Sequence, residues 1–328
     1  MIYTITANLL AETTAYYKED TRGHTHRAQS ESFQVGGKGI NVAKMGTKLG
    51  LQAEALCFPA GNNGQRCLDW LSKQAFTTKP FPQSGETRAG FVVRREGKPE
   101  TTFLGKDQPM QLEAWQQAFV YLASVMKQGD WLTFSGSIPG WNAALADVVD
   151  AFMRGKADTI HVAVDSYGPP LEWFKRQPVD LVKINRKELR TLVGEFTASQ
   201  LPGILRELRT TALPHSWIIS DGPNTLYAVD PEVTILKANP PIVKEVSPVG
   251  CGDIVLAGVV AGLSRGSSLR ESIALALPLA SANAARPDVA EFDPATISPL
   301  PLTEIVELRA KQRTVSSSKA SARSTQPN

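Results

Sequence analysis

Hydrophobic and polar positions along the chain follow two alternating periods. Met1–Thr6 (MIYTIT) alternates and is rich in β-branched residues, which predicts a strand, and Gln52–Phe58, Trp131–Ser135, His161–Asp165, Leu181–Ile184 and Trp217–Ser220 predict five more. Helical spacing occupies the intervals, over Leu112–Lys127, Ala143–Met153 and Leu201–Thr210, with another helical run from Ile40 behind a glycine cluster. Strands alternating with helices predict an α/β fold whose central sheet is mostly parallel and covered on both faces.

Two stretches break this rhythm. Ala11–Phe33 and Thr87–Leu104 are strand-like and polar with no helix inside them, and GFVVRREGKPETTFL reads as a hairpin turning at Glu96-Gly97-Lys98-Pro99. Together they predict a small β-sheet lid, discontinuous in sequence, over the mouth of the main domain. The last residues, 309–328, are Ser-rich and aperiodic, and are expected to be a disordered tail outside a folded unit of residues 1–308.

Composition adjusts this picture in three ways. The 328 residues are 42% hydrophobic, enough for a substantial core. The formal charge of +3 comes from the tail: its five basic residues face no acid, and without them 30 Lys and Arg face 32 Asp and Glu. A nucleic-acid binder carries its positive charge on a folded face instead. No apolar run reaches the ~18 residues of a membrane span, the start MIYTITANLL has no basic n-region, and Cys57, Cys67 and Cys251 form neither a CxxC pair nor an even set. The expectation is a cytoplasmic protein without disulfides or membrane partners.

The common nucleotide motifs are missing. Each Gly-Lys pair, at Gly37, Gly97, Gly105 and Gly155, is followed by something other than Ser or Thr, and no GxGxxG follows the first strand. Neither GxSxG nor a Cys/His setting supports a hydrolase, and His24 and His26 lack a third metal ligand nearby. Two glycine clusters carry more. In GCGDIVLAGVVAGL, from Gly250, the glycines let successive N–H groups turn toward one point ahead of a helix, a setting for an anion. Small residues at Ala257, Gly258, Ala261 and Gly262 predict close packing of this helix against the sheet. Asp253 reads locally either as a helix-start acid or as a base, and Cys251 as a filler or a thiol of lowered pKa. In VGGKGINVA (Val35–Ala43), glycines allow a sugar to approach the backbone and Asn41 offers it a donor and an acceptor, or else caps a helix.

Together the two clusters resemble the paired signatures of the PfkB, or ribokinase-like, family of carbohydrate kinases. GETRAGFVV at Gly85, FSGSIPG at Phe134, VKINRKEL at Val182 and IISDGP at Ile218 extend the resemblance over about residues 1–295. It implies a three-layer α/β sandwich with a β-sheet lid, ATP as phosphoryl donor, Mg²⁺ held mainly through water and phosphates, and in many members a monovalent cation such as K⁺. Position by position, Asp253 matches the base that takes the acceptor's proton, and the N–H groups of Gly250, Cys251 and Gly252 match the anion hole. Gly36, Gly37, Lys38 and Asn41 fall on the sugar, with Glu12 where the family usually has an aspartate. Arg27, Arg88 and Ser137 fall where the phosphosugar-using branch, the 1-phosphofructokinases and tagatose-6-phosphate kinases, contacts its substrate. Lys183, Asn185 and Glu188 match residues serving the ATP phosphates and the magnesium shell. Ser220, Asp221 and Gly222 match the nucleotide loop, Asn283 lies near the adenine, and Ser247 and Val249 lie in the monovalent-cation loop.

The expected acceptor is thus a sugar phosphate such as fructose 1-phosphate, fructose 6-phosphate or tagatose 6-phosphate. The alternatives are a kinase of an unphosphorylated sugar or nucleoside, or a non-catalytic sugar-binding relative. The latter is motivated by Glu12, by Ile184 in place of a family proline and by Thr225 in place of a glycine. The lid's polar strands also offer an edge for a homodimer.

Overall fold

The computed structural model describes residues 1–308 apart from Asp20, Pro99, Ala157 and Asp158. The tail proposed for residues 309–328 lies outside the described residues. Along the chain the strands are β1 (Ile2–Thr6), β2 (Leu10–Tyr16), β3 (Ser30–Gly36), β4 (Ala53–Cys57), β5 (Thr77–Pro80), β6 (Arg88–Arg94), β7 (Thr101–Leu104), β8 (Trp131–Ser135), β9 (His161–Asp165), β10 (Leu181–Asn185), β11 (Ser216–Ser220), β12 (Leu226–Val229), β13 (Ile235–Ala238) and β14 (Val306–Leu308). The helices are α1 (Lys38–Lys48), α2 (Gly61–Leu71), α3 (Leu112–Val125), α4 (Ala143–Lys156), α5 (Pro169–Phe174), α6 (Arg186–Val193), α7 (Leu201–Thr211), α8 (Cys251–Leu263) and α9 (Leu269–Ala284).

Ten strands form the main sheet, in the order β14-β13-β12-β11-β10-β9-β8-β1-β4-β5. From β5 to β11 every pairing is parallel, and β12, β13 and β14 add an antiparallel flank. Helices cover both faces, which explains why strands such as β8 and β11 are buried along almost their whole length. The alternation of the pleat sorts the core in two: Ile218 packs on the side of α1, α2, α8 and α9, while its neighbours Trp217 and Ile219 pack on the side of α3–α7. Among the described residues no helix is long and apolar enough to cross a membrane.

The first face holds the helix that matters most for the site. All residues of α8 from Asp253 to Gly262 are buried. Its small side chains fit it closely to another helix rather than to the sheet as expected: a Cβ on Gly258 would stand 2.8 Å from Ala276 Cβ, and one on Gly262 2.4 Å from Ser272 Oγ, both on α9.

The four remaining strands form the lid, in the order β3-β2-β6-β7. Its central pair is parallel, with Leu10 opposite Arg88 at one end and Tyr16 opposite Arg94 at the other. The β6–β7 hairpin pairs Phe91 with Phe103, as its sequence anticipates. Strand β2 begins at Leu10, one residue before the expected Ala11, and β3 runs to Gly36, three residues beyond the expected limit at Phe33.

Candidate active site

The site lies at the C-terminal ends of the central strands, where open α/β sheets hold their ligands. One side is built by the turn from β3 into α1. Gly37 has φ 136°, and a Cβ on it would stand 2.5 Å from Thr6 Cγ2, so the chain enters α1 against β1 with no space for a side chain. Helix α1 therefore begins at Lys38, ahead of the expected Ile40, and Asn41 sits inside its first turn without capping it. The Asn41 amide Nδ2 donates to Asp253 Oδ2 at 2.7 Å.

The opposite side is the start of α8. Gly250 is its N-cap at φ 76°, in the left-handed region, and a Cβ there would meet Val289 Cγ1 at 2.5 Å. A Cβ on Gly252 would stand 2.6 Å from Lys183 Nζ. N–H groups at the start of a helix, beside an ammonium group, form a cradle for an anion, and that of Cys251 also makes a long contact of 3.4 Å to Pro248 O. Asp253 is 4% exposed. Burial pushes its carboxyl up to about 6, Asp165 adds to this, and Lys38, Asn41 and Lys183 oppose it. A carboxylate poised there is a better proton acceptor than a solvated one, and near neutral pH it is still ionised. The thiol of Cys251 is pushed up by burial rather than lowered, which leaves it the role of a filler.

Between the two sides lies a charge cluster centred on Asp165, the one member that the sequence reading left out. Asp165, the last residue of β9, is fully buried and accepts from Lys38 Nζ at 2.6 Å on one oxygen and from Lys183 Nζ at 2.6 Å on the other. Burial alone would raise its carboxyl, but Lys183 and Lys38 hold it below the ordinary range. Lys38 also meets Glu188 Oε1 at 3.4 Å, and its ammonium is held charged, against burial, by Asp165, Asp253 and Glu188. The signal available in sequence was a single acid closing an apolar strand, HVAVD, at the sheet centre. Asn185 and Glu188 form a capping box on α6, each accepting from the other's backbone N–H, which fixes both side chains beside the cluster.

The lid supplies the remaining wall. Burial raises the Glu12 carboxyl, which accepts a hydrogen bond from Gln34 of the neighbouring strand. Arg88 Nη1 donates to Asp107 Oδ1 at 2.9 Å and Nη2 to Asn8 O at 3.3 Å. Asn8 Nδ2 donates in turn to Asp107 Oδ1 at 2.9 Å and Ser137 Oγ at 2.8 Å. Asn8 and Asp107, neither expected, thus tie Arg88 and Ser137 into one network.

A cavity of about 560 Å³ runs between these walls. Glu12, Gly36, Gly37, Asn41 and Arg88 line its lid side, and Lys183, Asn185, Ser220 and Gly222 its far side, with Gly250–Asp253 between. The remaining expected residues fall elsewhere. Lys38 lines the cavity but turns from the expected sugar position toward Asp165 and Glu188. Arg27 is exposed on the loop between β2 and β3 and does not reach the wall. Asp221 is paired with Arg186 at 3.1 Å. Asn283 is buried under the anion cradle: its amide donates to Val249 O at 2.9 Å and accepts from Ala290 N at 2.8 Å, so it braces the loop instead of facing a base. Ser247 is buried and donates to Glu100 Oε1 of the lid at 3.2 Å, while Val249 lines the cavity.

Comparison with known proteins places this arrangement. The family model described as pfkB family carbohydrate kinase matches residues 7–296. The chain belongs to that family. It is a carbohydrate kinase, a phosphotransferase with an alcohol group as acceptor. It is 27% identical over 287 residues to the 1-phosphofructokinase of Bacillus subtilis, covering 87% of this chain and 92% of that one. To a tagatose-6-phosphate kinase of Staphylococcus epidermidis it is 28% identical over 272 residues, or 80% and 85% of the two chains. Among solved structures, phosphofructokinase-2 from Escherichia coli in complex with substrates and products superposes with a TM-score of 0.79 at 25% identity, covering 87% of this chain and 93% of that chain. The same enzyme in complex with potassium gives 0.80 at 23% identity, over 88% and 94%. The fold is the ribokinase-like α/β sandwich.

Proposed function

We propose that this pfkB kinase transfers a phosphoryl group from ATP to a hydroxyl of a sugar phosphate, with Asp253 as the base. The observation that carries the acceptor class is the lid wall, where the guanidinium of Arg88 is held in place by Asp107 and Asn8, on the same cavity as the Glu12 carboxylate. A carboxylate suits sugar hydroxyls and a guanidinium suits a phosphate. The names of the relatives point the same way.

In this reading the acceptor hydroxyl lies against Asp253, whose carboxylate is aimed by Asn41. The proton moves to Asp253 as the new bond forms, late in a loose transition state. The N–H groups from Gly250 to Gly252 take up charge on the transferring oxygens, and Lys183 and Lys38, anchored on Asp165, face the donor phosphates. The donor set also fits a hydrated Mg²⁺, which Asn185 and Glu188 would hold through water and which would neutralise phosphate charge. Ser247 and Val249 are proposed for K⁺. A second copy is proposed to pack on the lid, where Phe103 and Leu104 are 61% and 56% exposed. The free thiols of Cys57, Cys67 and Cys251 favour a cytoplasmic setting.

A coupled ADP-release panel of fructose 1-phosphate, fructose 6-phosphate, tagatose 6-phosphate, ribose, fructose and adenosine tests the reading. Arg88→Met should raise KM for the phosphorylated acceptor about ten- to a hundredfold, the loss of a charged hydrogen bond. Turnover confined to unphosphorylated acceptors would overturn the proposal. That second reading has one observation behind it, since Arg27 stands off the cavity.

A further inference from the structure

The lid meets the main body at two ends. At one end, by Leu10, Gly36 and Arg88, its strands run into the cavity wall. At the other end, by Tyr16 and Arg94, nothing in the chain's connectivity requires contact, yet a compact polar cluster forms there. Arg94 is the centre. Its Nε donates to Glu100 Oε2 at 2.9 Å, and Nη1 donates to the Tyr16 hydroxyl at 3.0 Å, both within the lid. The same guanidinium then crosses to the body, with Nη1 to Asp288 Oδ1 at 3.3 Å and Nη2 to Pro287 O at 2.5 Å. Glu100 crosses as well, accepting from Ser247 Oγ at 3.2 Å, while Val249 N donates to that same Ser247 Oγ at 3.4 Å. The side chains of Arg94 and Glu100 are only 12% and 13% exposed.

We propose that Arg94 and Glu100 are positioning residues that latch the free end of the lid onto the body and, through Ser247, onto the loop that delivers Gly250 to the phosphoryl-transfer site. All three body contacts lie on two segments that flank the anion cradle. One runs from Ser247 into Gly250. The other follows α9 and includes Val289, the residue that packs on Gly250. Closing the lid and shaping the cradle are therefore one event. A lid held at both ends shields the site from water, which otherwise competes with the sugar as phosphoryl acceptor. Asp288 is 45% exposed and is the component easiest to remove without disturbing the core.

The inference rests on the sugar-phosphate reading for its kinetic test but not for its structural one. Asp288→Asn, Glu100→Gln and Arg94→Met should each raise KM for the accepted sugar phosphate, Arg94→Met by about tenfold or more, because only the latched fraction binds productively. They should also raise the ratio of ADP released to sugar phosphorylated. Hydrogen exchange on the same variants, with no substrate present, should show faster exchange of the amides of residues 88–104 and unchanged protection of 251–263. If the panel of acceptors fails with the wild type, the sugar-phosphate reading fails, and exchange alone decides the latch. Asp288→Asn and Glu100→Gln variants with wild-type KM, coupling ratio and lid exchange would overturn it. So would variants that lose thermal stability with the coupling ratio and lid exchange unmoved, since that is the signature of a merely structural cluster.

Discussion

Replacing Asp253 by Asn should make the protein more stable and nearly inactive at the same time. Two lysines, Lys38 and Lys183, share the floor of the site with three carboxylates, Asp165, Glu188 and Asp253. Asp253 is the buried carboxylate of this cluster without a lysine in hydrogen-bond contact, so the desolvation of its charge outweighs the pull of Lys38, Asn41 and Lys183. The rise of its carboxyl from 3.8 to about 6 corresponds to a cost of about 3 kcal/mol at ~1.36 kcal/mol per pH unit. Because ionisation is harder in the folded chain, the folded state binds more protons than the unfolded one between these values. The cost is therefore absent below about pH 4, grows as the pH rises, and is complete above about 6. Asparagine never ionises and escapes it. Asp253→Asn should gain up to about 3 kcal/mol at neutral pH, roughly 4–5 °C in Tm for a chain of this size, and the gain should shrink toward zero near pH 4. The same variant should lose ~10²–10⁴ in kcat while binding sugar and ATP. Denaturant unfolding of both proteins without ligand at acid and neutral pH, beside coupled ADP release, measures both effects. Equal stabilities at neutral pH, or a gain independent of pH, would refute the electrostatic account, and wild-type turnover would remove Asp253 from the role of base.

Three further outcomes follow from the same geometry. In the wild type, kcat/KM should rise with pH through a midpoint of about 6 and then level off as Asp253 ionises in the free enzyme; a profile flat from about pH 5 to 7 would contradict this. Asp165→Asn strips the buried pairing from Lys38 and Lys183 and should cost about 3–5 kcal/mol in unfolding experiments, together with a higher KM for ATP. Gly250→Ala forces a side chain into a left-handed turn and into Val289, so it should cost about 1–3 kcal/mol and lower kcat more than KM rises; an unimpaired kcat would argue against the cradle.

What the sequence revealed and what it concealed divide along physical lines. Strands β8 and β9 match their expected limits residue for residue, because the central positions of a buried parallel strand are held in an apolar run that polar residues close. The lid hairpin was legible from its turn. Helix α2 was not, since GNNGQRCLDWL opens with residues that read as a loop, and its N-terminus is satisfied by Glu86, twenty-odd positions away in sequence: Asn62 N and Asn63 N both donate to that carboxylate. The flank of β12–β14 was missed because its strands are only three or four residues long and the last of them joins from far along the chain, pairing Ile235 with Leu308. Within the site, glycine spacing and Asp253 were visible as motifs. Asp165, Asn8, Asp107 and Arg94 carry no local signature, because their meaning comes from partners more than fifty residues distant, such as Lys38 for Asp165 and Asp288 for Arg94. Lys38 shows the converse error: a motif places a residue on a loop, but only the fold decides which way its side chain turns.

The division between lid and body bears on how such an enzyme changes over generations. The proposed acceptor wall, with Glu12, Gln34 and Arg88, belongs to the lid sheet, whose outer strands β3 and β7 are exposed at seven of their eleven positions. The donor machinery begins on α8, whose small residues are locked against α9 with no tolerance for an added methyl group. Variation in the lid can explore new acceptors at little cost to folding, whereas variation along α8 meets a steric veto well away from the reacting atoms. A lineage built this way is free to exchange its substrate and is bound to keep its chemistry.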